Sequence, residues 1–210
     1  MHYTLLSDGS SDRALMPVLE WALRQAGVGA DLEGDWANLR SLRTLPTGLY
    51  SRLEAALEFY PCDLIFVHRD SEGQPPQRRI HEITAAINSL RQSGIEVPHV
   101  CVVPVRMQEA WLLFSEEAIR RAAGNPSGRV RLDLPRSHKI ESLPDPKETL
   151  SELLRTASEL NGRRLRRFSL PKARMRIAGQ IDDFSPLRAL PAFQSFEAEL
   201  RQVVALHHWN

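Results

Sequence analysis

The residues best suited to chemistry fall in three acidic clusters: Ser7-Asp8-Gly9-Ser10-Ser11-Asp12, His68-Arg69-Asp70-Ser71-Glu72 and Gln108-Glu109. Carboxylates are the usual ligands of hard cations such as Mg2+ or Mn2+, and an imidazole adds a softer donor. Asp8 and Asp12 are four residues apart, so their carboxylates converge if Asp12 sits on the first turn of a helix. His68, Asp70 and Glu72 alternate, so extended backbone would aim all three to one side, to hold an ion or orient a water. Each cluster also has a plainer reading. Asp8 and Asp12 would complement a helix dipole, and Glu109 would cap a helix that begins at Ala110-Trp111.

What positions the clusters is a repeated strand, loop and helix rhythm. Tyr3–Leu6, Asp63–Val67 and Val100–Val105 are short apolar runs, and each leads directly into a cluster. Helical spacing follows: Leu15, Val18, Leu19, Ala22 and Leu23 up to Gly27, with Ser10 or Ser11 as cap; then Ile80, Ile83, Ile87 and Leu90 up to Gly94. A further helix is expected from Leu49 to Phe59, while the polar stretch Asp31–Thr47 shows only Trp36, Leu39 and Leu42 as anchors. The pattern predicts an α/β fold, an open and mainly parallel sheet flanked by helices. In such sheets ligands gather outside the carboxyl ends of the strands, so three strands would deliver their carboxylates to one edge.

Residues 1–123 form the expected α/β core, with Ser115 capping a helix at its end. Residues 124–210 read as a helical, basic extension packed on that core, with helices marked by Leu150, Leu153, Leu154 and Ala157 and by Phe193, Phe196, Leu200 and Val203. At 210 residues and 42% hydrophobic composition the chain can bury a substantial core. Its 27 Lys and Arg offset 26 Asp and Glu, so the net charge of +1 argues for no acidic partner globally. The local distribution differs. Arg163, Arg164, Arg166, Arg167, Lys172, Arg174 and Arg176 follow one another without an acidic residue, and Phe168 lies among them for stacking. That segment suits nucleic-acid phosphates; the alternative is a solvated face neutralised by Glu148, Glu152 and Glu159.

Cys62 and Cys101 lack the spacing of a metal knuckle and read as reduced core residues. No apolar stretch is long enough to span a bilayer and no signal-like segment opens the chain, so no membrane partner and a cytoplasmic location are expected. His68-Arg69-Asp70 matches the start of a kinase catalytic loop, but Pro75 stands where that loop needs a magnesium-binding Asn. A nucleophile elbow is absent as well.

Together these residues resemble the Toprim fold, the metal-binding domain of topoisomerases, primases and overcoming-lysogenization-defect nucleases. More narrowly, the chain is similar to a family of short bacterial Toprim-like proteins often associated with ATPases of antiviral systems. The resemblance is carried by Asp8-Gly9-x-x-Asp12, His68-x-Asp70, the run Val105 to Leu113 with Glu109-Ala110-Trp111-Leu112-Leu113, and Pro186-Leu187-Arg188-x-Leu190-Pro191-x-Phe193-x-x-Phe196. It departs from the family pattern at two positions: Asp8 stands for a Glu one methylene longer, and His68 for an acid, which removes a negative charge and moves metal preference away from Mg2+. The resemblance implies a metal-dependent nuclease using Mg2+ or Mn2+ and partnered by an ATPase. Asp8, Asp12, His68, Asp70 and Glu72 would be the metal ligands, and Asp8, Asp70 and Glu109 the catalytic residues. One ion near Asp8, Asp12 and Asp70 would activate water while a second, near Glu72 or Glu109, would stabilise the leaving oxygen. Two alternatives remain: a binding or scaffold subunit with a degraded site, and phosphoryl chemistry on small phosphorylated substrates.

Overall fold

The computed structural model describes residues 1–209 and contains a four-stranded, all-parallel open sheet flanked by helices. The strands are β1 (His2–Leu6), β2 (Glu33–Trp36), β3 (Leu64–His68) and β4 (His99–Val102), in spatial order β2-β1-β3-β4. The central strands are apolar because both sheet faces are covered. Leu5, Leu64, Ile65, Phe66 and Val67 are fully buried, as expected of a doubly covered parallel sheet.

β2 was not expected from the sequence. It lies within the polar stretch after Gly29, and Glu33 and Gly34 are exposed. As an edge strand it needs little apolar content, and its register on β1, His2 opposite Glu33, comes from backbone pairing. Gly34 is required there, because the Tyr3 ring and the Met16 methyl occupy the space a Cβ would need.

Helices α1 (Met16–Gln25), α2 (Gly48–Phe59) and α3 (Pro76–Gln92) connect the strands. α2 and α3 bury Leu53, Ala56, Ile83, Ile87 and Leu90 against Leu6, Ile65, Val67 and Cys101 on one face of the sheet. The opposite face is covered by α1 together with α4 (Glu116–Ala122), α5 (Pro146–Ser158), α7 (Leu170–Ile177) and α8 (Pro191–Leu206), while α6 (Gly162–Arg166) buries no residue. Residues on both sides of position 123 share this core. Trp111, fully buried, meets Phe193 edge-on at 5.1 Å and Phe196 at 5.7 Å. α8 also protects the free edge of the sheet, where Glu199 Oε1 accepts the Cys101 backbone N–H at 3.1 Å. Among the described residues no helix is long and apolar enough to cross a membrane.

Candidate carboxylate site at the sheet edge

The parallel register brings the strand ends level: Leu6 lies opposite Val67, and His68 opposite Val102. The loops leaving β1, β3 and β4 therefore emerge side by side. Ser71, completely buried, ties two of them together by accepting the Arg106 N–H at 2.9 Å, while the Glu72 N–H reaches the Arg106 carbonyl at 3.1 Å.

From the first loop comes Asp12, buried in a 3₁₀ turn over Ser10–Leu15 rather than in the α-helix expected from Ser11. Neither serine caps this turn. Asp12 caps it from within, accepting the Gly9 N–H at 2.8 Å and the Ser11 hydroxyl at 3.1 Å. From β3 come His68 and Asp70. The His68 ring is 1% exposed, and its Nδ1 stands 3.0 Å from the Val102 carbonyl, which can only accept, so Nδ1 carries a proton. That bond turns Nε2 toward Asp70 Oδ1 at 3.4 Å and Asp12 Oδ2 at 3.8 Å. Both separations are too long for a strong hydrogen bond.

The third loop supplies Gln108 and Glu109, both buried in a 3₁₀ turn over Gln108–Leu112. Glu109 stands inside that turn and does not cap it. Gln108 bridges the other two loops: its backbone N–H donates to Asp70 Oδ1 at 3.0 Å and its Nε2 to Asp12 Oδ1 at 3.0 Å. The carboxyl of Asp70 is pushed up to about 6, chiefly by burial. His68 pulls it down, the carboxylates of Asp12 and Glu109 push it further up, and the Gln108 N–H opposes them.

Two expected ligands are directed elsewhere. Asp8 lies between Arg52 and Arg69, paired with Arg52 Nη1 and 2.8 Å from Arg69 Nε, on a half-exposed surface. Arg69 Nε is close enough for an ion pair but not aligned as a hydrogen bond. Glu72 adopts a left-handed backbone, φ 53°, so the extended alternation needed to align it with His68 and Asp70 ends before it. Its exposed carboxylate pairs with Arg79 at 3.0 Å, and Arg79 Nε donates to the Asp70 carbonyl. Residue types and spacing at Asp8 and Glu72 are those of ligands. Neighbouring guanidinium groups, invisible in local sequence, have claimed both side chains.

The chain matches no family model, no curated protein and no solved structure. What the edge can do must be judged from its own atoms. Asp12 and Asp70 stand 3.8 and 3.4 Å from the His68 imidazole, and Glu109 lies near enough to push Asp70 up further. Beside them Gln108 Oε1 is buried without a hydrogen-bond partner, and an orphaned buried acceptor beside like charges suits a cation. Among the described residues no group of three or more His, Cys, Asp or Glu side chains stands in a metal-holding arrangement. The fit is thus in donor chemistry, and closer approach would be needed for ligation.

The basic segment occupies α6 and α7. Arg163, Arg164, Arg166, Arg167, Lys172 and Arg176 are exposed and Arg174 is half-buried. Two of the three acids expected to neutralise them serve others: Glu148 pairs with Arg155 at 2.8 Å, and Glu159 accepts the backbone N–H groups of Arg129 and Val130. Among the described residues none of the seven cations is in an ion pair. Phe168, expected as a stacking platform, instead packs against the core.

α7 also contributes to a cavity of about 310 Å³ next to the carboxylates. Ser10, Ser11 and Ala14 line it from the first turn, Gln108, Glu109 and Leu112 from the third loop, and Pro171, Arg174 and Met175 from α7. Sequence reasoning placed Arg174 only in a charge run. Nothing local signals that it belongs to the wall of a cavity shared with Glu109.

Proposed function

We propose that the protein is a divalent-cation-dependent phosphodiesterase acting on nucleic acid, of the Toprim type its motifs resemble. The observation that carries this reading is the convergence of Asp12 and Asp70 on His68 at the carboxyl edge of a parallel sheet, with the buried Glu109 of the third loop near enough to act on Asp70. Mg2+ or Mn2+ would be held by these three carboxylates, with His68 Nε2 and Gln108 Oε1 as additional donors. When bound, such an ion lowers the pKa of an attacking water and offsets charge on the leaving oxygen.

The remaining tasks belong to the chain's own side chains. The Val102 carbonyl fixes the tautomer and direction of His68, the arrangement commonly found behind a ligating imidazole. Asp70, held near 6 by burial without a cation, would give up its proton on ligating one, so cation binding would strengthen as pH rises through that range. Arg52 and Arg69 both pair with the half-exposed Asp8, beside the cluster, where a phosphate could exchange for that carboxylate. The exposed cations of α6 and α7 supply backbone attraction.

Two free thiols, Cys62 and Cys101, support a reducing cytoplasmic setting. An ATPase partner and a role in antiviral defence follow from the family resemblance. Co-purification from cells under native conditions tests that association.

The decisive experiment pairs calorimetric titration of Mn2+ with cleavage assays on DNA and RNA. Asp70→Ala should lose both Mn2+ binding and cleavage while keeping the circular-dichroism spectrum of the parent. Cleavage undiminished in that variant would overturn the assignment. The ion pairing of Asp8 and Glu72 favours one second reading, a binding subunit whose site has lost part of its acidic complement. In that case purified protein would bind nucleic acid without cutting it at any Mn2+ concentration.

A further inference from the structure

The cavity beside the carboxylates is defined by three observations. Its floor and walls are apolar where Ala14, Leu112, Pro171 and Met175 line it, and its charged lining residues are Glu109 and Arg174. Its volume of about 310 Å³ is at the small end of cavities that take organic ligands, roughly 300–1,000 Å³. It also lies on the path between the two features on which the proposed function rests, since Glu109 belongs to the carboxylate cluster and Arg174 to the basic segment.

A phosphate does not suit this cavity. Its donors, the Ser10 and Ser11 hydroxyls, Gln108 and Arg174, share the lining with four apolar side chains, and the buried carboxylate of Glu109 repels a second anion. A planar, uncharged and weakly polar group does suit it, especially one tied to a phosphate that Arg174 can reach from its half-exposed position. Nucleobases have that chemistry, but a base within a duplex is stacked and paired and cannot enter a cavity unless it is extruded. Recognition of single strands works the other way, through splayed bases held against apolar or aromatic surfaces while cations track the backbone.

Resting on the nucleic-acid reading above, we infer that this cavity lodges one unpaired nucleobase, making single-stranded nucleic acid the preferred substrate and α7 a substrate-binding element. Arg174 then acts as a positioning residue, anchoring the phosphate next to the lodged base and presenting the adjoining linkage to the carboxylate cluster. The helical extension would form one wall of the site and would not serve merely as a tether.

The test measures binding in EDTA, so that cleavage plays no part. Fluorescence anisotropy is recorded for a short labelled single strand, the same strand annealed to its complement, and a labelled mononucleotide. The parent protein should bind the single strand about tenfold or more tightly than the duplex, the scale expected for one base contact. Ala14→Leu, which fills the cavity from its floor, should erase that preference while leaving duplex affinity within about threefold. Arg174→Ala should weaken the single strand likewise, and it serves as the second probe should Ala14→Leu lower the melting temperature. Equal affinity for single strand and duplex in the parent, or an unaltered preference in both variants, would overturn the inference and leave the nuclease reading intact. Binding of the mononucleotide with no binding of either polymer would overturn both and assign the cavity to a small phosphorylated substrate.

Discussion

The side-chain amide of Gln108 donates to Asp12 Oδ1 at 3.0 Å, joining residues 96 positions apart and closing the loop after β4 onto the turn after β1. Its other terminal atom, Oε1, is buried without a partner. This one residue therefore both donates a hydrogen bond to the carboxylate cluster and leaves an acceptor for a cation beside it. Gln108→Glu places a further negative charge there and removes a donor to Asp12. Without metal the variant should be less stable at neutral pH by about 2 kcal/mol. Saturating Mn2+ should recover most of that loss, and urea titrations with and without Mn2+ measure both effects. A loss that Mn2+ leaves untouched would argue against a cation at this edge.

Asp70 predicts a pH dependence whose sign is opposite to that of most carboxylates. Its folded-state value, about 6, lies above the ordinary 3.8, so between those limits the folded protein binds more protons than the unfolded chain. Stability contributed by the neutral carboxyl is thus present at low pH and is lost as pH rises through about 6. The side chain is 33% exposed, and solvent screening reduces the expected contribution to about 1 to 2 kcal/mol. In EDTA, Asp70→Asn should be more stable than the parent above pH 6 by that amount and should show a flatter stability profile between pH 4 and 6.

Asp8 and Asp12 look alike in sequence, but the structure separates them. Asp12 is buried within the cluster, whereas Asp8 is half-exposed between Arg52 and Arg69. Asp12→Asn should weaken Mn2+ binding by about tenfold or more, the scale of removing a charged ligand. Asp8→Asn should change Mn2+ affinity by less than about threefold, yet raise nucleic-acid affinity by removing a negative charge from beside Arg52 and Arg69. Calorimetry and anisotropy measure the two effects.

Replacing Arg163, Arg164, Arg166 and Arg167 with Ala should reduce the slope of log affinity against log salt by up to about 3, since each phosphate contact to a single strand contributes about 0.7. Sequence preference should stay the same, because phosphate contacts carry none. An unchanged slope would return these arginines to the role of a solvated surface.

Trp111 links the core before residue 123 to α8 through Phe193 and Phe196. Trp111→Ala should cost about 3 to 5 kcal/mol. Because residues from both halves share one core, unfolding followed by tryptophan fluorescence and by circular dichroism should give coincident transitions in the parent. Separate transitions would show that the extension folds independently.

Much of this organisation is legible in the sequence. Apolar runs at Tyr3, Leu64 and Val100, each followed by a helical period, are enough for an α/β fold with parallel strands, because a doubly covered strand must be apolar along its length. The same runs place Asp12, His68, Asp70 and Glu109 at one edge, since parallel strands end on the same side. Ser115 is likewise recognisable as a cap, and its hydroxyl accepts the Ala118 N–H at 3.2 Å. β2 escapes that reading, because an edge strand held by backbone pairing needs no apolar pattern.

Only the tertiary structure decides which carboxylates face one another. Asp8 and Glu72 carry the right chemistry, but long-range partners, Arg52 from α2 and Arg79 from α3, draw them away, and a left-handed backbone at Glu72 breaks the alternation on which its assignment relied. Arg174 shows the converse. In sequence it is one of seven cations, and in space it shares a cavity with Glu109. Residue type and spacing determine what a side chain can do and which edge of the sheet it reaches. Its partners depend on contacts between segments distant in sequence, for which local periodicity holds no information.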